Sequence, residues 1–190
     1  MAKSAGVRVI RAAPSKAGQM NAGAAAATGD MLLFLHADTR LPDNFARHVR
    51  TAASQRQFCA GAFSLSIDSN AWGLRFIEKV ANWRSRYLQM PYGDQALFVG
   101  RNMFDKIGGF PDFPIMEDFE LIRRLRRRGQ IILLPQPVHT SARRWLKFGI
   151  FKTWLLNQIV IVGYFLGISP RNLCRLYRRE KGAGSRQNSV

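Results

Sequence analysis

Four short stretches carry side chains that could do chemistry where the chain turns. In "MLLFLHADTRLP" (31–42) an unbroken apolar run ends on His36 and Asp38 and stops at Pro42. A carboxylate beside an imidazole at a strand end suits a divalent cation, because carboxylate oxygens bind hard Mg²⁺ and imidazole suits Mn²⁺. The same Asp-Thr pair would also serve as a plain turn or helix cap. "PIMEDFE" (114–120) places Glu117, Asp118 and Glu120 at a helix start. Acids there complement the helix dipole. The Gly- and Pro-rich lead-in "GGFPDFP" would also carry a carboxylate to a cleft, where a general base needs only hydrogen-bond reach to a hydroxyl. "PYGDQALFVGR" (91–101) sets Gly93 and Asp94 ahead of a strand, as a turn does. "HTSARRW" (139–145) puts Arg143 and Arg144 beside Trp145: a clamp for a diphosphate with a face for stacking, or a basic surface with one buried indole.

The elements that must position these residues read as α/β. "VRVIRA" (7–12) alternates apolar and basic residues as a short strand does. Ser15, Gly18 and Asn21 lead into the helix-forming run Ala22 to Ala27, closed by Gly29. The apolar run that follows fits a strand buried on both faces. Strand, helix, strand implies a mostly parallel sheet flanked by helices, whose ligands bind beyond the carboxyl ends of the strands, where His36 and Asp38 lie. Further helices are expected over 41–54, over 71–89 with Trp72, Phe76, Val80 and Trp83 at helical spacing, near 102–110 with a stop at Gly108-Gly109, and over 116–129. Strands are expected over 59–68, at an edge or in a mixed sheet, within "ALFVGR", and over 131–135.

The chain's 190 residues fit one compact domain, and 47% hydrophobic residues exclude overall disorder. Its 29 Lys and Arg against 12 Asp and Glu give +17, which calls for a polyanionic partner: nucleic acid, acidic lipid or nucleotide phosphates. Cys59 and Cys174 have neither CxxC spacing nor a nearby His pair, so a zinc site and a disulfide framework are not suggested. The first residues hold no continuous apolar core, so the expected setting is the cytoplasm or the inner face of the plasma membrane. Residues 153–168 carry no charge and lie between basic clusters. They are shorter than the roughly 20 residues of a bilayer span. A helix packed in the core or an oligomer, or one touching a membrane surface, are the competing readings.

Together the stretches "QMNAGAAAATGDMLLFLHADTRLP", "GDQALFVGRNMFDKIGGFPDFPIMEDFELIRRLRRRG" and "TSARRW" resemble the family-2 glycosyltransferases, whose catalytic domain has the GT-A fold. The resemblance implies transfer of a hexosyl-type group from a nucleotide-sugar donor to an acceptor hydroxyl with inversion, assisted by a divalent metal, Mn²⁺ or Mg²⁺. It assigns the metal to Asp38 and His36, with His36 in place of the first carboxylate of the family's Asp-x-Asp motif. Glu117 and Asp118 match the family's Glu-Asp pair, whose aspartate is the base. Asp38, Arg143, Arg144 and Trp145 fall on the donor side, and Gly93, Asp94 and Gln95 on the acceptor side.

The layout implied is a partial catalytic domain over 1–146, an apolar and basic helical region over 147–180 and a disordered tail over 181–190. Relatives begin with strands ending in "P-x-x-N-E" and "D-G-S-x-D". This chain opens near the third strand of that scheme, so some 40 to 60 residues of the base pocket are expected to lie outside it. The acceptor, lipid or saccharide, is not specified, and peripheral membrane contact is a further partner. The alternatives are an inactive truncated fragment, or a basic membrane- or nucleic-acid-binding protein. Nucleic acid is the less favoured, since no recognised motif for it appears.

Overall fold

The computed structural model describes residues 6–12 and 14–186, with side chains through residue 178. Helix α1 (Lys16–Ala26) begins where the Ser15 hydroxyl accepts the Gly18 amide, a side-chain N-cap. At its other end Arg101 donates to the carbonyls of Ala24, Ala27 and Gly29, satisfying groups a helix terminus leaves open. The segment 7–12 is not a strand: Val7, Val9 and Ile10 are exposed, and among the described residues no strand pairs with them. Alternation alone does not make a strand without a partner to take its amides.

Strands β1 (Met31–Phe34), β2 (Thr39–Arg40), β3 (Phe58–Asp68), β4 (Leu97–Gly100) and β5 (Gln130–Ser141) form one sheet in the order β1-β4-β3-β5-β2. Only β3 and β5 pair in parallel; β1 with β4, β4 with β3 and β2 with β5 are antiparallel. The α/β class stands, but the sheet is mixed rather than mostly parallel. A continuous apolar run such as "MLLFL" reports burial, and it does so whichever way the neighbouring strand points. β3 is a central strand.

Helix α2 (Phe45–Ala53) covers Phe63, Phe98 and Val138 on one side of the sheet. Helix α3 (Trp72–Tyr87) packs Leu74, Ile77 and Ala81 on Leu65 and Ile67 of β3. Beyond its short pairing with β4, β3 satisfies its backbone from α3 instead: Asn82 bonds the amide and carbonyl of Leu65, and Glu78 accepts the Ile67 amide. Helix α4 (Arg101–Lys106) stops before Gly108 and Gly109, both at positive φ, where glycine carries no Cβ penalty. Helix α5 (Glu117–Arg126) supplies Phe119, Leu121, Ile122 and Leu125 to the largest core.

Helices α6 (Arg143–Phe148), α7 (Ile150–Phe165) and α8 (Pro170–Arg186) complete the described chain. Val160 of α7 and Leu173 of α8 belong to the same core as α5 and β4, so the 147–180 region is packed into the domain. α8 reaches Arg186, into the segment expected as a disordered tail; residues 187–190 lie outside the described ones. Among the described residues no helix is long and apolar enough to cross a membrane.

Candidate functional site

The carboxyl end of β1, the turn before β4 and the N-termini of α1 and α5 converge on a cleft of about 240 Å³. Asp118 sits on its wall, held by two backbone amides. Gly93 donates to Oδ2 at 2.8 Å and Phe119 donates to Oδ1 at 2.8 Å. A carboxylate has about four lone-pair positions, so two amides fix it and still leave acceptor capacity toward the cleft. A side chain on Gly93 would not fit: its Cβ would lie 2.7 Å from Asp118 Oδ2 and 3.2 Å from His36 Nε2. Met116, the residue before α5, is held in the left-handed region at φ 69°, as is Ala96 after the Gly93–Gln95 turn at φ 49°. Such conformations cost about 1–3 kcal/mol each and gather at sites that need a fixed geometry.

Lys16, the first residue of α1, bonds Glu117 at 2.8 Å and lies 3.8 Å from Asp118. Its type and local spacing do not mark it as a site residue. A cation opening a helix is disfavoured by the dipole, and that anomaly was the available signal. Burial alone would lower its pKa, but Asp118 and Glu117 raise it, so Lys16 stays protonated. Glu117 is buried and committed to this pair, which leaves Asp118 as the carboxylate of the two nearer the cleft opening.

Asp94 lines the cleft and is pushed upward by burial, against the pull of Arg84 and His36. The Arg84 guanidinium lies 3.4 Å from the centre of the Tyr92 ring. Gln95 is placed differently from the expectation. It is fully buried, donates to the Phe63 carbonyl at 3.1 Å, and accepts from Ser85 Oγ at 2.8 Å and the Tyr92 amide at 3.1 Å. Gln95 therefore pins the turn that carries Gly93 and Asp94, its side-chain amide engaged by Phe63, Ser85 and Tyr92.

Arg144 and Trp145 also line the cleft, with the Arg144 guanidinium 5.4 Å from the centre of the Tyr177 ring. Arg143 is exposed outside it and bonds Ser141 Oγ at 3.2 Å. Successive helical residues point about 100° apart, so only one of the two arginines can face inward.

Asp38 is exposed at the cleft lip, its carbonyl accepting the Ser141 amide at 3.2 Å. His36 lines the same cleft as Asp38, with its Nε2 buried without a hydrogen-bond partner and facing the Gly93 turn. Burial and Lys16 push its pKa down, against Asp94 and Asp118. Among the described residues no group of three His, Cys, Asp or Glu forms a metal cage. One carboxylate does fit an ion of the Mg²⁺ type, which commonly takes one or two protein carboxylates and completes its shell with substrate phosphates and water.

The family model for glycosyl transferase family 2 matches residues 1–110. The chain belongs to that family. Lys16, His36, Asp38 and Asp94 lie within the matched span, whereas Glu117, Asp118, Arg144 and Trp145 lie beyond it. No curated protein sequence matches the chain.

Proposed function

We propose that this cleft transfers a hexosyl-type group from a nucleoside-diphosphate sugar to an acceptor hydroxyl with inversion. The observation that carries the reading is Asp118, fixed by the Gly93 and Phe119 amides in a cleft that Arg144 also lines. Asp118 takes the proton of the acceptor hydroxyl as its oxygen bonds to the anomeric carbon. The bond from that carbon to the diphosphate oxygen breaks on the opposite face, and the nucleoside diphosphate leaves with the electron pair. One displacement inverts the configuration.

Arg144 meets the charge that grows on the leaving oxygens, and Trp145 offers a stacking face. Asp38 would hold a divalent cation whose chemistry, when bound, is to neutralise the diphosphate. Lys16 holds Glu117 in place and supplies a positive field at the base. Asp94 and the Gly93 turn sit on the acceptor side. There a mostly apolar groove of about 470 Å³ opens into the cleft and shares Tyr92, Asp94 and Trp145 with it. This favours, of a lipid or a saccharide acceptor, one with an apolar body. A cytoplasmic setting with peripheral contact at the inner face of the plasma membrane belongs to the same reading.

The test is release of nucleoside diphosphate from a panel of nucleotide sugars, with Asp118→Asn beside the unaltered chain. Loss of about 10²-fold or more in the variant is the expected result. Equal release by both would sink the assignment of the base.

A further inference from the structure

Helix α3 is amphipathic with its apolar stripe turned outward. Glu78 and Asn82 tie its inner side to Ile67 and Leu65 of β3, which fixes its rotation. Trp72, Phe76, Val80, Trp83 and Tyr87 then face away from the sheet, from 37% exposed at Val80 to 85% at Trp72. At helical spacing these five fall within an arc of about 80°, and Arg75, Lys79 and Arg86 fill the adjoining arc of about 40°.

Helix α7 repeats the pattern. Thr153, Leu156, Val160 and Gly163 are buried, while Phe151, Leu155, Ile159 and Val162 are exposed. The two stripes are contiguous. Trp72 and Phe76 of α3 meet Ile150 and Phe151 of α7 across an apolar depression of about 540 Å³, and the groove beside it continues toward Trp83 and Phe165. Apolar residues massed in this way mark an interaction surface rather than scattered exposure.

Charge selects the occupant. The stripe is bordered by Lys79 and Arg86 on α3 and by Lys152 on α7, all exposed, in a chain of net charge +17, while Arg75 of the same arc is paired with Glu78. A second copy would bring equal basic borders together. Tryptophan and tyrosine suit the boundary between hydrocarbon and headgroups, and basic flanks suit anionic lipid. We propose that the α3–α7 face seats on an anionic bilayer surface, with the aromatic stripe at the acyl boundary and the basic arc on the headgroups. The docking does not depend on the transferase reading, although it would hold the groove that enters the cleft against the bilayer.

The test is flotation of the full chain with vesicles of phosphatidylcholine alone and of equal parts phosphatidylcholine and phosphatidylglycerol, with no nucleotide present. Flotation with the anionic vesicles, weakened by salt, is expected. Trp72→Ser/Phe76→Ser and Phe151→Ser/Leu155→Ser should each weaken it about tenfold or more while leaving the thermal unfolding transition in place. Lys79→Gln/Arg86→Gln should reduce the preference for anionic over neutral vesicles. Failure of the unaltered chain to float, or flotation unchanged in both serine variants, overturns the proposal. So does a dimer in solution that the same serine substitutions dissolve, because the face would then belong to a second copy. Nucleotide binding is measured separately, so loss of donor binding with intact flotation counts against the transferase reading alone.

Discussion

The Gly93 amide lies 2.8 Å from Asp118 Oδ2, and a methyl group on Gly93 would lie 2.7 Å from the same oxygen. Backbone from the turn before β4 thus occupies the space that sets the aim of a carboxylate on α5, 25 residues further along the chain.

Gly93→Ala must therefore move Asp118, His36 or the turn itself. Misplacement of a reacting group by about 1 Å can cost 10²-fold in rate. Nucleoside diphosphate release should fall by about that factor, with nucleotide affinity changed far less. Release kinetics and titration of the one variant check both halves, and an unchanged rate would show that Asp118 does not need this support.

Lys16→Met leaves Glu117 buried without its cation. A loss of about 2 kcal/mol in unfolding free energy is expected, since an uncompensated buried acceptor costs about 1–3 kcal/mol. Adding Glu117→Gln should recover part of it. Denaturant unfolding of the two single variants and the double variant gives the coupling, and purely additive losses would contradict the pair.

Gln95→Ala removes a side chain that serves the Phe63 carbonyl, Ser85 and the Tyr92 amide at once. The midpoint of thermal unfolding should fall by several degrees, as a loss of about 1–3 kcal/mol would produce. A variant with unchanged melting and weakened acceptor binding would restore Gln95 to the acceptor side.

Glu120 and His36 should show in stability over different pH ranges. Burial raises the Glu120 pKa, but hydrogen bonds from Arg123, Tyr164 and Arg124 outweigh it and hold the group at about 2. A carboxylate whose folded pKa lies below its unfolded one stabilises above the unfolded value, about 4.5, and loses that contribution as pH falls toward 2. His36, also shifted downward, is bound as the neutral ring. Its contribution is complete above 6.5 and starts to fall below it, because the unfolded chain takes up the proton first. Melting temperature against pH should flatten between 4.5 and 2 in Glu120→Gln, and just below 6.5 in His36→Gln. Parallel curves in either case would contradict the corresponding environment.

Much of the fold was legible because local chemistry specifies it. Ser15 caps α1, Gly108 and Gly109 end α4, and the acidic opening of α5 marks a helix start, each for a reason that lies within a few residues. Direction and sidedness were not legible. "MLLFL" reports burial without saying that β4 runs against it, and "VRVIRA" reports alternation without supplying a partner strand. In α3 the stripe of Trp72, Phe76, Val80 and Trp83 was visible, but the inner side is set by Glu78 and Asn82 bonding to β3, a tertiary fact. Of the residues singled out by type and spacing, the fold brings Asp118, Asp94, Asp38 and Arg144 to one cleft. His36 also reaches the cleft, but the burial of its Nε2 against the Gly93 turn, the inward bonding of Gln95 and the pairing of Lys16 with the distant Glu117 depend on packing that no local stretch records.

We propose that this cleft binds a nucleoside diphosphate between Asp38 and Arg144 for transfer at Asp118. The most direct measurement is calorimetric titration of the folded chain with UDP and GDP, with and without Mn²⁺, beside Asp38→Ala and Arg144→Ala. Binding to at least one nucleotide is expected, strengthened by the metal only when Asp38 is present and weakened about tenfold or more by loss of Arg144. Binding that neither substitution alters, or no binding to either nucleotide, would contradict it.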